Sequence, residues 1–408
     1  MADKATPSFG AVLTRNQVAG APILVARRRL AESTLLQGIV INNKIANVVA
    51  RNGVSDAERV CEAAARSLGV YSGEGLLSLS TGVVGWALPV DAMVSAMPAL
   101  AASVKENKLN ALDAAASIMT TDMWPKVRRA SLPGGASVVG IAKGAGMVEP
   151  NMATMLSVLL TDARVSRSAL QKALERAVNA PGSFNSCSVD SDTSTSDAVV
   201  VLASNMQGVR YVESSTDAAA PDDAASNDAV EDNIETLTAA LTDVCRGLAE
   251  DVVRNGEGVS HVLRVSVANA QSDALAHAVG KAVVNSPLIK CAVAADDANI
   301  GRVAMAIGKA AMHLNATLDV SQIRVQIGGI TVMEKGALIA SPEVDKQLEQ
   351  HMSANRMSFE APPPVRWPVH NGCVMIDIDL GQDGGGVAEI LGADLTQEYL
   401  TTNGYYRT

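Results

Sequence analysis

Two short runs in which nearly every residue is apolar constrain this chain most: MLSVLLTDA at 155–163 and DAVVVLAS at 197–204. A strand that alternates apolar with polar residues can leave one face in water, but a run apolar at successive positions must be covered on both faces. Such strands need a layer of helix or sheet on each side, so the chain reads as a layered mixed α/β protein. The filling of those layers must be aliphatic, because 408 residues include only 3 Trp, 5 Tyr and 3 Phe. Small side chains allow backbones to approach closely, which suits layers rather than a core built around rings.

The remaining pattern interleaves helices with strands. Leu170, Ala173, Leu174, Ala177 and Val178 share one face of a predicted helix over 168–179, and further helices are expected near 233–250, 272–284 and 301–313. Ser55 and Glu58 have capping-box spacing at the start of a helix over 55–68. Strands are expected at 76–85, at 136–142, around Leu263, Val265 and Val267, and as a pair over 322–333. VMIDIDL, with Val374, Ile376 and Ile378 alternating against Met375, Asp377 and Asp379, reads as the last strand. Residues 213–232, rich in Ala, Asp, Ser and Asn, read as a disordered or surface insertion, and APPPVRWPV as an extended connector. Three features are discounted as sites. GQDGGGVAE (381–389) reads as a turn, since no GK[ST] follows it. DSDTSTSD (190–197) reads as a turn whose side chains bond the backbone rather than a cation, and Met147, Met152 and Met155 as packing.

Composition narrows the function classes. A formal charge of −10 with few aromatics opposes nucleic-acid binding, which needs a basic surface and stacking platforms. Cys61, Cys187, Cys245, Cys291 and Cys373 form no CxxC pair, and the 5 His show no metal-ligand spacing, so reduced thiols and no metal site are expected. The start, MADKATP, lacks an apolar or Arg-rich leader, and no apolar run reaches the roughly 18–20 residues of a membrane span. A soluble cytoplasmic protein is expected, with the mitochondrial matrix as the location in a eukaryotic source.

Chemistry concentrates in KGAGMVEPNMAT (143–154), just before a buried strand. A threonine hydroxyl becomes a good nucleophile only beside a base, and in one class of enzymes the chain is cut before the Thr so that its freed α-amino group is that base. An amine titrating near 8 is partly neutral at cellular pH. Taken singly, an Ala-Thr pair before a strand is ordinary structure, because Thr favours strands. Likewise Thr81-Gly82, taken alone, is a strand-ending turn.

The combination is more specific. KGAGMVEPNMATMLSVLLTDA resembles the cleavage segment of the ornithine acetyltransferase (glutamate N-acetyltransferase, ArgJ) family, KGxGMIxPNMATML. STGVVGWALP (80–89) is similar to that family's STGVIGxxLP, and TTDMWPK (120–126) to TTDxxPK. FNSCSVDSDTSTSDAVVVLAS (184–204), NGEGVS (255–260), SPLIKCAVAADDANIGR (286–302) and the closing DLTQEYLTTNGYYRT resemble further motifs, all in family order.

The resemblance implies a DmpA/ArgJ-like layered α-β fold with an N-terminal-nucleophile Thr, plus a smaller C-terminal α/β part. It implies self-cleavage between Ala153 and Thr154 into chains 1–153 and 154–408. Thr154 would carry the acetyl group from N-acetylornithine to glutamate in arginine biosynthesis, with Thr81 and Gly82 as the oxyanion hole. Thr120, Lys143, Thr154, Glu257, Asn403 and Thr408 would bind substrate. Lys143, in a glycine-flanked loop, suits a carboxylate, and Glu257, between Gly256 and Gly258, suits an ammonium. No cofactor is implied, apart from acetyl-CoA as a co-substrate in a bifunctional member, and the implied assembly is a heterotetramer of two α and two β chains. Two alternatives stay open: an amidohydrolase, aminopeptidase or specialised acyltransferase with the same nucleophile, and an uncleaved binding relative. The chain departs from the family pattern in a shorter start, in INNKIANVV (41–49) for VNSGNANA, and at Ser191, Ser196 and Ile300.

Overall fold

The computed structural model describes residues 4–70, 72–106, 110–149, 155–207, 209–212, 231–359 and 371–405. The two apolar runs become neighbouring strands at the centre of a sheet. Leu156–Thr161 lies parallel to Ala198–Ala203, with Leu156 opposite Ala198 and Thr161 opposite Ala203. Phe9–Leu13 pairs antiparallel with the outer side of Ala198–Ala203. Ser137–Lys143 and then Lys126–Ser131 extend the other side, also antiparallel, to make five strands.

All six residues of Ala198–Ala203 are buried, as an apolar strand between two layers must be. One face packs on helices Arg167–Asn179 and Ile234–Arg254 through Val199, Val201 and Leu159. The other packs on helix Ala21–Glu32 and the parallel strand pair Gly38–Asn42 and Leu76–Ser80, through Leu156, Val200, Ile23, Leu77 and Leu79. Helices Gly53–Leu68 and Val90–Lys105 lie behind that pair around Val60, Ala64, Leu76 and Met97. The architecture is therefore mixed α/β in layers.

A second core lies towards the C-terminus. Its sheet runs Ala337–Leu338, Ile330–Glu334, Arg324–Ile327, Val374–Asp379, Val262–Ala270, Gly386–Ala393 and Cys187–Ser188 in order. Helices Asp273–Val284, Pro287–Ala294, Gly301–His313 and Pro342–Ala354 contribute apolar side chains to the same core. A last helix, Gln397–Tyr405, follows. Among the described residues no helix is long and apolar enough to cross a membrane.

Several expectations are corrected. Helix Gly53–Leu68 begins two residues early on Asn52, and Glu58 reaches Arg28 instead of closing a capping box with Ser55. Ser55 Oγ donates back to the Asn52 carbonyl at 2.9 Å, so the turn closes without that box. VMIDIDL is not the last strand: Gly386–Ala393 follows, so the expected turn over 381–389 is confined to 381–385 and its last four residues open that strand. Helix Pro287–Ala294 was not predicted, although Ser286 caps it and Pro287 opens it. The expected insertion ends early, since Glu231–Asn233 is a strand parallel to Arg210–Val212, and 213–230 lie outside the described residues. APPPVRWPV also lies outside them.

Helix Ile234–Arg254 crosses the sheet at Gly140. A Cβ there would sit 2.6 Å from Leu159 Cδ2 and Val244 Cγ1 and 2.8 Å from Leu248 Cδ1. Overpacking of this kind costs about 1–3 kcal/mol. Gly140→Val is therefore expected to lower Tm by several degrees in a calorimetric scan, and an unchanged Tm would refute close packing at this crossing.

Candidate active site

Three strand ends meet at one edge of the central sheet. Lys143 closes its strand opposite Leu156, and Leu156 opens its strand opposite Ala198. This register sets Lys143, Met155 and Asp197 side by side, with the Ala198 N–H donating to the Met155 carbonyl at 3.0 Å. Strand Leu76–Ser80 ends beside them and hands on to Thr81 and Gly82. Together they border a cavity of about 140 Å³ lined by Thr81, Gly82, Thr120, Lys143, Glu257 and Asn403, among others.

The Thr81-Gly82 turn is shaped by its neighbour. The Thr81 N–H donates to the Asn42 carbonyl at 3.1 Å and the Val83 N–H to the Lys44 carbonyl at 2.8 Å. Among the described residues the intervening Gly82 N–H donates to no acceptor. Gly82 has φ +122°, and a Cβ there would lie 2.1 Å from the Lys44 carbonyl carbon. Only glycine fits at this position. Lys143 Nζ donates to Thr81 Oγ1 at 2.8 Å.

Lys143 is 8% exposed. Burial and the nearby Lys126 pull its ammonium below the ordinary lysine range, against the attraction of Asp122, Asp197 and Glu257. Asp122 organises the other side of Lys143. Its carboxylate pairs with Lys126, both side chains being wholly buried, and accepts the Gly144 and Thr120 N–H groups at 2.9 Å each. Burial pushes the Asp122 carboxyl up, but Lys126, Lys143 and the Gly144 N–H outweigh it and hold the group well below the usual carboxylate range.

Glu257, 6% exposed, stands where helix Ile234–Arg254 has ended. Its N–H donates to the Ala145 carbonyl at 3.0 Å, and its carboxylate accepts Thr121 Oγ1 and Asn403 Nδ2 at 2.7 Å each. Asn403 can reach it because the last helix docks on the same loop. Thr396 Oγ1 donates to the Gly258 carbonyl at 2.6 Å, and Gly258, at φ +64°, leaves no room for a Cβ against the Tyr399 nitrogen at 2.4 Å.

Of the residues expected in the site, Thr81, Gly82, Thr120, Lys143, Glu257 and Asn403 thus line one cavity. Ala153, Thr154 and Thr408 lie outside the described residues, as does Met152. Met155 is buried in the core and lines the cavity, and Met147 lines it too, so neither residue only packs. The segment discounted as a turn also contributes, with Asp190, Asp192, Ser194, Ser196 and Asp197 all in the lining. Asp190 does bond backbone as expected, accepting the Met147 and Val148 N–H groups at 2.7 Å. The density of acids and hydroxyls in DSDTSTSD was the available signal. Thr121, Asp122 and Tyr399 were not singled out, although they fall within the TTDMWPK and DLTQEYLTTNGYYRT segments that resemble family motifs, which was the available signal. Among the described residues no group of His, Cys, Asp or Glu side chains is placed to hold a metal ion.

A layered α/β protein in which an N–H without an acceptor among the described residues, a buried lysine and a buried glutamate line one small cavity has the make-up of a site for small charged molecules. The chain is a member of the ArgJ family, whose model matches residues 1–408. The arginine biosynthesis bifunctional protein ArgJ of Rhizobium meliloti (strain 1021) is 37% identical over 406 residues, covering 98% of this chain and 88% of that protein. The protein of the same name from Gluconobacter oxydans (strain 621H) is 35% identical over 401 residues, 97% of this chain and 84% of that one. The crystal structure of arginine biosynthesis bifunctional protein argJ from Bacillus halodurans aligns with TM-score 0.47 and 28% identity, over 61% of this chain and 98% of that one.

Asp197 is 2% exposed, and its Oδ2 has no hydrogen-bond donor among the described residues. Burial holds its carboxyl well above the usual range, against Ser194 and Lys143. The folded chain then keeps this proton to higher pH than the unfolded chain, so stability falls as pH rises between the two pKa values. Asp197→Asn removes that penalty. It should raise Tm at about pH 8 and show a shrinking gain towards about pH 4, and a lower Tm at pH 8 would show that the carboxylate is net favourable.

Proposed function

We propose that the chain is an acetyltransferase of arginine biosynthesis that moves the acetyl group of N-acetylornithine to glutamate through an ester on Thr154. The observation that carries this reading is the meeting of Thr81, the Gly82 N–H, Lys143 and Glu257 around one cavity in a member of the ArgJ family. Met155, at the border of that cavity, directly follows Thr154 in the chain.

Self-cleavage between Ala153 and Thr154 frees the α-amino group of Thr154. That amine takes the proton of Thr154 Oγ as the oxygen attacks the acetyl carbonyl of N-acetylornithine. The tetrahedral oxyanion is held by the Thr81 hydroxyl and the Gly82 N–H, donors whose removal typically costs roughly 10²–10³ in rate. Collapse breaks the C–N bond, and the leaving amine takes the proton and departs as ornithine. The amine of glutamate then attacks the ester through a second oxyanion, the C–O bond breaks, Oγ regains a proton, and N-acetylglutamate leaves. Splitting one amide exchange into two ester steps is the gain of covalent catalysis.

Both substrates are amino acids, and the cavity supplies both signs of charge. Lys143 is the cation available to a carboxylate, and Glu257, steadied by Thr121 and Asn403, is the anion available to an ammonium. Thr120, Thr154 and Thr408 complete the binding set, and two copies of each chain assemble.

Purified protein is expected to run as two bands on a denaturing gel, with Thr154 as the new N-terminus. Thr154→Ala should give one band and no turnover, and activity retained in that variant would remove Thr154 as nucleophile. Assays with N-acetylornithine should show transfer to glutamate exceeding release of acetate. Acetate release without transfer would replace this reading with a hydrolase, and acetyl-CoA as donor is tested in parallel.

A further inference from the structure

Thr81 and Lys143 lie 62 positions apart in sequence, yet Lys143 Nζ donates to Thr81 Oγ1 at 2.8 Å. A threonine hydroxyl has one proton and two lone pairs. When an ammonium occupies a lone pair, the hydroxyl cannot turn its own proton back towards the nitrogen, so the proton is left for another acceptor. The neighbouring Gly82 N–H has no acceptor among the described residues, and both Thr81 and Gly82 line the cavity.

The ammonium is itself held in place. Lys143 is fixed at its Cα by the strand register opposite Leu156, and the next N–H, of Gly144, is tied to Asp122 at 2.9 Å. Asp122 is the strongest attraction that Lys143 feels, but its carboxylate already takes Lys126 and the Thr120 N–H. Among the described residues Lys143 thus closes no ion pair, and its Nζ is directed at Thr81 Oγ1 instead. A positive charge and a fixed donor in a buried site are worth more than in water, since neither has to reorganise as charge develops.

We propose that Lys143 is a positioning residue for the oxyanion donor, orienting the Thr81 hydroxyl with its proton towards the reacting carbonyl and placing a positive charge behind it. Its effect on the reaction therefore runs through Thr81, in addition to any contact with a substrate carboxylate. This rests on the oxyanion reading of Thr81 given above.

The test is a double-mutant cycle on the full chain: wild type, Thr81→Ala, Lys143→Met and the double variant. kcat and KM are measured for acetyl transfer from N-acetylornithine, with rates taken per mole of free N-terminal Thr154. Each single variant is expected to lower kcat by about 10²–10³. The double variant should be no slower than Thr81→Ala alone. Lys143→Gln, which keeps a donor but no charge, should fall between wild type and Lys143→Met, and it replaces Lys143→Met in the cycle if that protein fails to fold. Fully additive losses in kcat would overturn the proposal. So would a Lys143 effect confined to KM and equal in both Thr81 backgrounds, which is the signature of a carboxylate contact alone. If Thr81→Ala leaves kcat unchanged, the oxyanion reading itself fails, and that outcome is separate because it does not involve Lys143.

Discussion

The site depends on the register of three strands. Lys143 opposite Leu156 and Leu156 opposite Ala198 bring residues from distant parts of the chain to one sheet edge. Slipping one strand by a residue would turn its side chains to the opposite faces of the sheet. Lys143 would then leave Thr81, and Asp197 would leave the cavity. The register is secured by what the strands bury, since Val199 and Val201 face the helices while Ala198, Val200 and Leu202 face the Leu77–Leu79 side. Aliphatic packing on two faces is therefore what fixes the polar groups at the strand ends.

Charge in the cavity is managed by pairing nearly every group to the protein. Asp122 and Lys126 neutralise each other in full burial, where a lone charge would carry a desolvation cost of several kcal/mol. Asp190 takes two backbone N–H groups, and Glu257 takes a hydroxyl and an amide. Side chains held by such bonds do not have to be reoriented when a ligand arrives, which is the condition for preorganised electrostatics. Asp197 departs from this pattern at Oδ2, which meets no donor among the described residues, and burial raises the proton affinity of its carboxyl against Ser194 and Lys143.

Much of the framework was legible because burial leaves a plain mark. Short runs rich in β-branched residues such as DAVVVLAS favour doubly covered strands, and the spacing of Leu170, Ala173, Leu174, Ala177 and Val178 fits one side of a helix. Reading all of 381–389 as a turn hid the strand that begins within it, because Gly386, Ala388 and Gly392 carry almost no side-chain signal. The Ser55–Glu58 spacing misled for a different reason: a tertiary partner, Arg28, drew Glu58 away from the local motif. In the site, residues carrying family motifs could be named from sequence, but their partnerships could not. Lys143 on Thr81 and Thr121 on Glu257 span 62 and 136 positions, and no local pattern encodes a contact at that range. Asp190 and Asp197 sat in a segment whose turn-forming bonds were foreseen, whereas its place in the cavity wall depends on the sheet.

The strand order of the central sheet bears on what happens to a chain cut before Thr154. Phe9–Leu13, Ser137–Lys143 and Lys126–Ser131 come from one side of that point, and they flank Leu156–Thr161 and Ala198–Ala203 from the other. The later piece thus fills the middle of a sheet whose margins belong to the earlier piece. Pulling them apart would bare strand edges on both, the kind of surface that pairs indiscriminately. Breaking one peptide bond would leave the native molecule nearly undisturbed and yet change its way back from denaturant. Refolding would become an encounter of two molecules, second order in protein, with a midpoint that depends on concentration.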